Sequence, residues 1–245
     1  TRSLMSTRYC RLLPIAALPI LALAAFVMST ATGAEKGDDP KEALQEIQEF
    51  IGGWKGSVDK GTTAWKESAN WSWRFANKGK DVYMTVDMPD SKVFKKGEMR
   101  FLSNKGKYEF TLFDKADKKN VYVGDLKKGS LILERTVPET RATEQLKVNT
   151  AGGGVRLIYT FSKKGANSTL YAKEYQISYT KEGESFGVAA GQKGPECVVT
   201  GGLGKIQVSF GGNTYYVCCT GCRDAFNENP AKMIAEYKAR KAAGK

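Results

Sequence analysis

Four cysteines lie within 26 residues near the carboxyl end of the chain, and they are the residues best suited to chemistry: Cys197, Cys218, Cys219 and Cys222. Thiolates bind soft cations such as Zn²⁺ and Cu(I), whereas Mg²⁺ and Ca²⁺ prefer oxygen ligands. Three sulfurs suffice for a trigonal Cu(I) site, and four sulfurs, or three with an outside ligand, suffice for tetrahedral Zn²⁺. We therefore expect the chain to bind Zn²⁺ or Cu(I), without a choice between the two.

Two other interpretations use the same thiols. In an oxidising compartment four cysteines can form two disulfides in three pairings, although adjacent Cys218 and Cys219 pair poorly with each other. Cys219 and Cys222 also form a Cys-x-x-Cys motif, which can exchange disulfides in a thioredoxin-like setting. No βαβ pattern surrounds that motif. Metal ligation, disulfide bonding and thiol exchange thus remain three alternatives.

The chain contains no histidine. Catalytic Ser-His-Asp and Cys-His arrangements, His-bearing zinc sites and His proton shuttles are therefore excluded. No pair of carboxylates stands in a setting that indicates acid–base catalysis, so we expect a binding protein and not an enzyme. The formal net charge is +12, but the lysines are scattered through predicted turns. That distribution favours solvated hairpin tips, and we expect no nucleic-acid partner.

The elements that position the cysteines are predicted within residues 194–245. Residues 205–210 and 214–217 are expected to pair as a hairpin across Gly211-Gly212-Asn213, and a helix should follow Pro230. A hairpin would bring Cys197 alongside the turn at residues 218–222, so three or four sulfurs would converge. A module of this size buries little apolar surface and usually needs a metal or disulfide to fold.

This segment resembles the YHS/TRASH family of heavy-metal-binding modules. The resemblance rests on Cys197, Tyr215-Tyr216-Val217-Cys218-Cys219-Thr220-Gly221-Cys222, Phe226 and Asn229-Pro230. It implies metal ligands at Cys197, Cys218 and Cys222, and a role in metal sensing, trafficking or resistance. Many family members carry a further cysteine near the first, where this chain has Thr200. Cys219 is an additional thiol and an optional fourth ligand, so the coordination number stays open.

Residues 41–182 read as a β domain. An amphipathic helix over 41–51 should precede nine or ten short strands of alternating apolar and polar residues. We expect an antiparallel up-and-down barrel, with a sandwich as the alternative. Gly52 and Trp54 resemble the Gly-x-Trp at the first strand of lipocalin-like (calycin) domains, which implies a fold that often holds apolar ligands. Trp54, Trp71 and Trp73 are therefore candidates to line a pocket for a small apolar ligand, unless they fill the core.

The remaining segments are predicted to be a targeting signal, a leader and a linker. Residues 1–34 have the basic, apolar and small-residue parts of a signal peptide, residues 35–40 form a mobile leader, and residues 183–193 form a glycine-rich linker. We expect export to the periplasm or the medium with no stable membrane span after cleavage, an uncleaved anchor being the alternative. The sequence thus favours an exported soft-metal-binding protein. The second hypothesis is a carrier of a small apolar molecule whose cysteine module is structural.

Overall fold

The computed structural model describes residues 39–60, 63–183 and 194–244, which belong to one compact unit. The predicted signal peptide, most of the predicted leader and residues 184–193 of the predicted linker lie outside the described residues. The domain boundaries proposed from the sequence therefore stay predictions.

Ten antiparallel strands form a closed barrel in which each strand pairs with its neighbours in sequence. The first and last strands complete the closure, with Trp54 opposite Lys181 and Val58 opposite Ile177. This confirms the predicted up-and-down barrel. The strands are β1 (Gly52–Lys60), β2 (Thr63–Ala76), β3 (Asp81–Asp87), β4 (Phe94–Leu102), β5 (Lys107–Asp114), β6 (Lys119–Lys127), β7 (Ser130–Thr136), β8 (Thr143–Ala151), β9 (Arg156–Lys164) and β10 (Ala172–Lys181).

The barrel interior follows from the two-residue period of the strands, because alternate side chains point to one face. On β5, Tyr108, Phe110 and Leu112 are buried while the residues between them are only partly covered. The same alternation places Leu131 and Leu133 of β7 in the core. The apolar side chains that the sequence pattern selected thus fill the inside of the barrel.

A short helical segment packs on the barrel beside β3 and β4. It consists of α1 (Pro40–Gln45) and one 3₁₀ turn (Gln48–Phe50) instead of the continuous helix predicted over 41–51. The Asp39 side chain caps α1 by accepting a hydrogen bond from the Lys41 amide at 2.8 Å. The Tyr108 hydroxyl donates to the Ala43 carbonyl at 2.7 Å, which fixes the segment to the barrel.

The C-terminal module, which we define as residues 194–244, contains a hairpin and two helices. The hairpin pairs β11 (Ile206–Phe210) with β12 (Asn213–Val217), and the helices are α2 (Thr220–Glu228) and α3 (Pro230–Ala242). Gly211 and Gly212 form the two-residue turn with φ of 58° and 76°, a left-handed pair that glycine adopts without steric cost. A mainly β chain ending in a small α+β region with the cysteines is therefore observed, as predicted.

The C-terminal module packs directly on the barrel. Helix α2 contacts strand β2, and buried side chains of the module join the same apolar cluster as those of the barrel. Helix α1 adds polar links, since Gln45 donates to the Thr200 carbonyl at 2.7 Å and Lys41 lies 3.3 Å from Glu236. The cysteines therefore lie against the barrel.

Candidate metal centre

Three of the four cysteines are positioned by the start of α2. Cys218 directly follows β12, Cys219 is the N-cap residue of α2, and Cys222 lies in its first turn. The amide groups at a helix N-terminus are unpaired and carry partial positive charge. A helix start therefore favours negative charge on nearby sulfurs. At Cys222 burial outweighs this effect and raises the pKa of the thiol.

Cys197 reaches the same place from a separate loop. Its amide donates to the Gly202 carbonyl at 2.6 Å, and the neighbouring Val198 amide donates to the Tyr216 carbonyl of β12 at 2.8 Å. Arg240 of α3 donates to the Cys197 carbonyl at 3.3 Å and pairs with the Glu196 carboxylate at 3.2 Å. The loop is thus fixed to both β12 and α3, which sets the Cys197 sulfur beside the start of α2.

The sulfurs of Cys197, Cys218 and Cys222, which we call the cysteine cluster, all lie within 4.8 Å of one another. The Cys218 and Cys222 sulfurs are 3.5 Å apart. Bonds of about 2.3 Å place neighbouring sulfurs about 3.8 Å apart in a tetrahedral site and about 4.0 Å apart in a trigonal one. The cluster therefore fits either geometry with small adjustments of side chains.

The four sulfurs are free thiols. The 3.5 Å between Cys218 and Cys222 is far longer than a disulfide bond of about 2.05 Å. Cys197 and Cys222 are fully buried, and Cys218 is partly exposed. Apart from one another, these thiols contact the Thr200 hydroxyl, which lies 3.6 Å from the Cys218 sulfur. A buried group of thiols of this kind is typical of a metal site or of a redox pair. The described structure brings together the three residues that the family resemblance implied as ligands.

The thiols of the cysteine cluster shift one another's pKa values in opposite directions. Hydrogen bonds from Cys218 and Cys222 lower the pKa of the Cys197 thiol below its ordinary value. Burial, together with hydrogen bonding to the other thiols, raises the pKa of Cys222 well above its ordinary value. The thiols thus stabilise a thiolate at Cys197, and the remaining protons leave when a cation takes their place.

Cys219 lies outside this group of three mutually close sulfurs. It is 7% exposed, and hydrogen bonding from Cys218 and Cys222, with the backbone of Trp73 contributing, lowers the pKa of its thiol. Its position as an optional fourth ligand stays a prediction. Among the described His, Cys, Asp and Glu side chains, the cluster provides three sulfurs that could hold one metal ion. Three sulfurs are compatible with trigonal coordination, or with tetrahedral coordination completed by a ligand from outside the chain.

The barrel contributes to the site through β2. A Cβ atom on Gly221 would overlap the Trp73 carbonyl group, so α2 touches the backbone of the strand at this point. Arg74 lies next to the contact, with Nη1 3.5 Å from the Trp73 oxygen. Only glycine allows the helix start to approach the barrel this closely. No local pattern indicates this contact, because Gly221 and Trp73 are far apart along the chain.

The three tryptophans predicted to line a ligand pocket are fully buried. Trp54 donates its indole hydrogen to the Phe50 carbonyl at 2.7 Å, and Trp71 packs edge-on against Phe50 at 5.6 Å. Trp73 stacks on Phe75 at 6.0 Å. Trp54 and Trp71 therefore pack in the core, with the Lys181 ammonium 5.1 Å from the centre of the Trp54 ring, while Trp73 borders a cavity that Cys218 also lines.

A cavity of about 20 Å³ lies inside the barrel, between side chains that include Glu67 of β2 and Tyr179 of β10. Its lining includes Glu67, which is 3% exposed and accepts hydrogen bonds from Tyr179 and from Trp65. Small-molecule pockets usually measure about 300–1,000 Å³, so this cavity is far smaller. The sequence patterns did not single out Glu67 as a buried residue, although it lies an even number of residues from Trp71 on β2 and therefore on the same inward face. The apolar-carrier hypothesis stays a prediction that lipid extraction can test.

Comparison with known proteins adds no family assignment: no family model matches the chain, and no curated protein matches it. None of the helices in the described part of the chain has the length and apolar character of a membrane span.

Proposed function

We propose that this protein is an exported, non-catalytic binding protein for a soft metal ion, Cu(I) or Zn²⁺. The observation that carries the proposal is the meeting of three thiols, from two separate segments, within 4.8 Å of one another. Its ligands are Cys197, Cys218 and Cys222. The resemblance to YHS/TRASH modules supports a role in metal trafficking, sensing or resistance.

The chemistry of the ligands favours soft cations. Three sulfurs and no nearby carboxylate in the cluster give no preference for Mg²⁺ or Ca²⁺. A bound Cu(I) or Zn²⁺ would replace the thiol protons and offset the repulsion among thiolates that are held out of water. Because Cys222 of α2, Cys218 just after β12 and Cys197 of a separate loop would share one ion, binding should also stabilise the module on the barrel.

The metal content of the purified protein tests the proposal. Protein isolated from the compartment in which it accumulates, under anaerobic conditions, should contain about one equivalent of copper or zinc by elemental analysis. The variant Cys197→Ser/Cys218→Ser should contain none, while Thr220→Ser, a conservative change at an exposed position between Cys219 and Gly221, should retain it. Wild-type protein without copper or zinc would refute the proposal.

Thiol counting separates metal binding from the disulfide alternative. After denaturation without reductant and with a metal chelator, Cys197, Cys218, Cys219 and Cys222 should all react with a thiol reagent. Two disulfides would leave none of these four thiols reactive. Cell fractionation tests export independently, since the mature chain is expected outside the cytoplasm. Measurement of insulin reduction tests the thiol-exchange alternative, and we expect no turnover.

A further inference from the structure

The members of the cysteine cluster differ in their access to solvent. Cys197 and Cys222 are fully buried, whereas Cys218 is partly exposed. Cys218 also borders a cavity of about 260 Å³ that lies between the barrel and the C-terminal module. We call it the barrel–module cavity. A cation outside the protein would therefore meet the Cys218 sulfur before it meets the other two.

Both parts of the chain build this cavity. The module contributes Gly201, Gly202, Leu203, Lys205 and Cys218, and the barrel side contributes Gln48, Glu49, Ile51, Trp73 and Lys181. The cavity is below the size of usual drug-like pockets, about 300–1,000 Å³, but it can hold a hydrated ion or one small thiol ligand. Without the barrel, one wall of this passage would be missing.

Two side-chain oxygens lie near the cavity, and one of them, that of Gln48, belongs to its lining. The Gln48 side-chain oxygen is buried without a hydrogen-bond partner among the described residues. It lies 3.0 Å from the place that a Cβ would take on Gly202, and the Thr200 hydroxyl oxygen lies 3.8 Å from the same place. The Thr200 hydroxyl is also 3.6 Å from the Cys218 sulfur. Gln48 thus offers an oxygen on the cavity wall, while the buried Thr200 hydroxyl, which is not part of the cavity lining, contacts the Cys218 sulfur.

On the basis of the proposed metal-binding function, we propose that the metal enters and leaves through the barrel–module cavity, with Cys218 as the exchanging ligand. A metal arriving on a small thiol forms a bond to the Cys218 sulfur and breaks its bond to the donor sulfur. The Cys218 proton passes to the released donor thiolate, so charge balances and no electron is transferred. Cys197 and Cys222 then replace the remaining donor-thiolate or water ligands of the metal, and the Cys222 proton passes to the released donor thiolate or to solvent.

Narrowing the cavity tests the route. Leu203 is 37% exposed on the cavity wall, and Leu203→Trp should obstruct the passage. Leu170→Trp is the matched control, because Leu170 is 79% exposed in the connection between β9 and β10 and does not line this cavity. Protein loaded with Zn²⁺ or with Cu(I) is mixed with excess chelator, and the rate of metal release is followed by stopped flow.

We expect Leu203→Trp to slow metal release and uptake by about tenfold or more while metal stoichiometry is unchanged, as gating of access predicts. Leu170→Trp should match the wild type. Equal rates in Leu203→Trp and the wild type, with full metal content, would overturn the route. If Leu203→Trp fails to fold, Glu49→Trp on the barrel wall provides the same comparison.

A second measurement needs no variant. In the metal-free wild-type protein, brief treatment with iodoacetamide followed by peptide mass spectrometry should modify Cys218 before Cys197 and Cys222. Earlier modification of Cys197 or Cys222 would overturn the assignment of Cys218 as the exchanging ligand. This result is separable from the proposed function, because a wild-type protein that binds no metal refutes that function whichever thiol reacts first.

Discussion

Replacing Gly221 with alanine should separate α2 from the barrel and weaken the metal site. Gly221 is buried at the second position of α2, and a Cβ there would overlap the Trp73 carbonyl group. Both sides of this contact are backbone, so no side chain can rotate away. The helix itself must shift, and it carries Cys222.

Two opposing effects set the magnitude. Alanine is favoured over glycine inside a helix by about 1 kcal/mol, which alone would make Gly221→Ala more stable. Overpacking of a buried contact costs about 1–3 kcal/mol, and the upper end applies because backbone meets backbone. We therefore expect the free energy of unfolding to fall by about 2 kcal/mol.

Urea unfolding of the metal-free protein measures the free energy of unfolding. In a separate assay, competition with a chelator measures the affinity for the metal. The control is Gly165→Ala, because nothing lies within 4 Å of a Cβ at Gly165. That variant should be unchanged in metal affinity, whereas Gly221→Ala should bind metal about tenfold more weakly, or 1.4 kcal/mol. A Gly221→Ala protein as stable as the wild type and equal in affinity would refute the close approach of α2 to β2.

Three further predictions follow from the charges and the ligands. Arg240→Ala removes the hydrogen bond to the Cys197 carbonyl and the ion pair with Glu196, and it should lower stability by about 1.5–3 kcal/mol. The exposed control Lys238→Ala should change stability by less than about 0.5 kcal/mol, and chemical denaturation measures both. Burial raises the pKa of the Tyr122 and Tyr179 phenols above the ordinary value. The unfolded chain therefore releases those protons near pH 10 while the native state keeps them, so stability is retained below pH 10 and should fall above it, by about 1.4 kcal/mol per phenol at pH 11. Unfolding curves that are the same at pH 9 and pH 11 would contradict this. Metal at 100 times its dissociation constant should raise the free energy of unfolding by about 2.7 kcal/mol, with no rise in Cys197→Ser; calorimetry with and without chelator tests this.

Local patterns were sufficient to predict the strands and most turns, whereas closure into a barrel instead of a sandwich came from the pairing of β1 with β10. The two-residue alternation of apolar side chains predicted the strands, because each strand buries one face whatever its partners are. Gly211-Gly212-Asn213 predicted the hairpin turn for a similarly local reason, and in the structure Gly211 and Gly212 alone form the turn while Asn213 begins β12. The helix predicted over 41–51 was only partly right, because the segment changes to a 3₁₀ turn after α1.

The candidate site was predicted only in part. Clustered cysteines indicated soft-metal chemistry from residue type alone, and the family resemblance selected the three residues that the structure brings together. Sequence reasoning could not place Cys219, because adjacent residues at a helix start point in different directions. It also missed Glu67, since a carboxylate between polar neighbours on β2 gives no sign that the barrel closes over it.

The sequence by itself determined which residues form strands, where the chain turns and which atoms can bind a soft cation. Those properties depend on side-chain chemistry and on neighbours a few positions away. Only the tertiary structure decided that Cys197 meets α2, that Gly221 touches the backbone of Trp73, and that Cys218 alone of the three sulfurs is partly exposed. These facts depend on contacts between segments distant in sequence, whose geometry is set by packing of the whole unit and is not encoded in any local pattern.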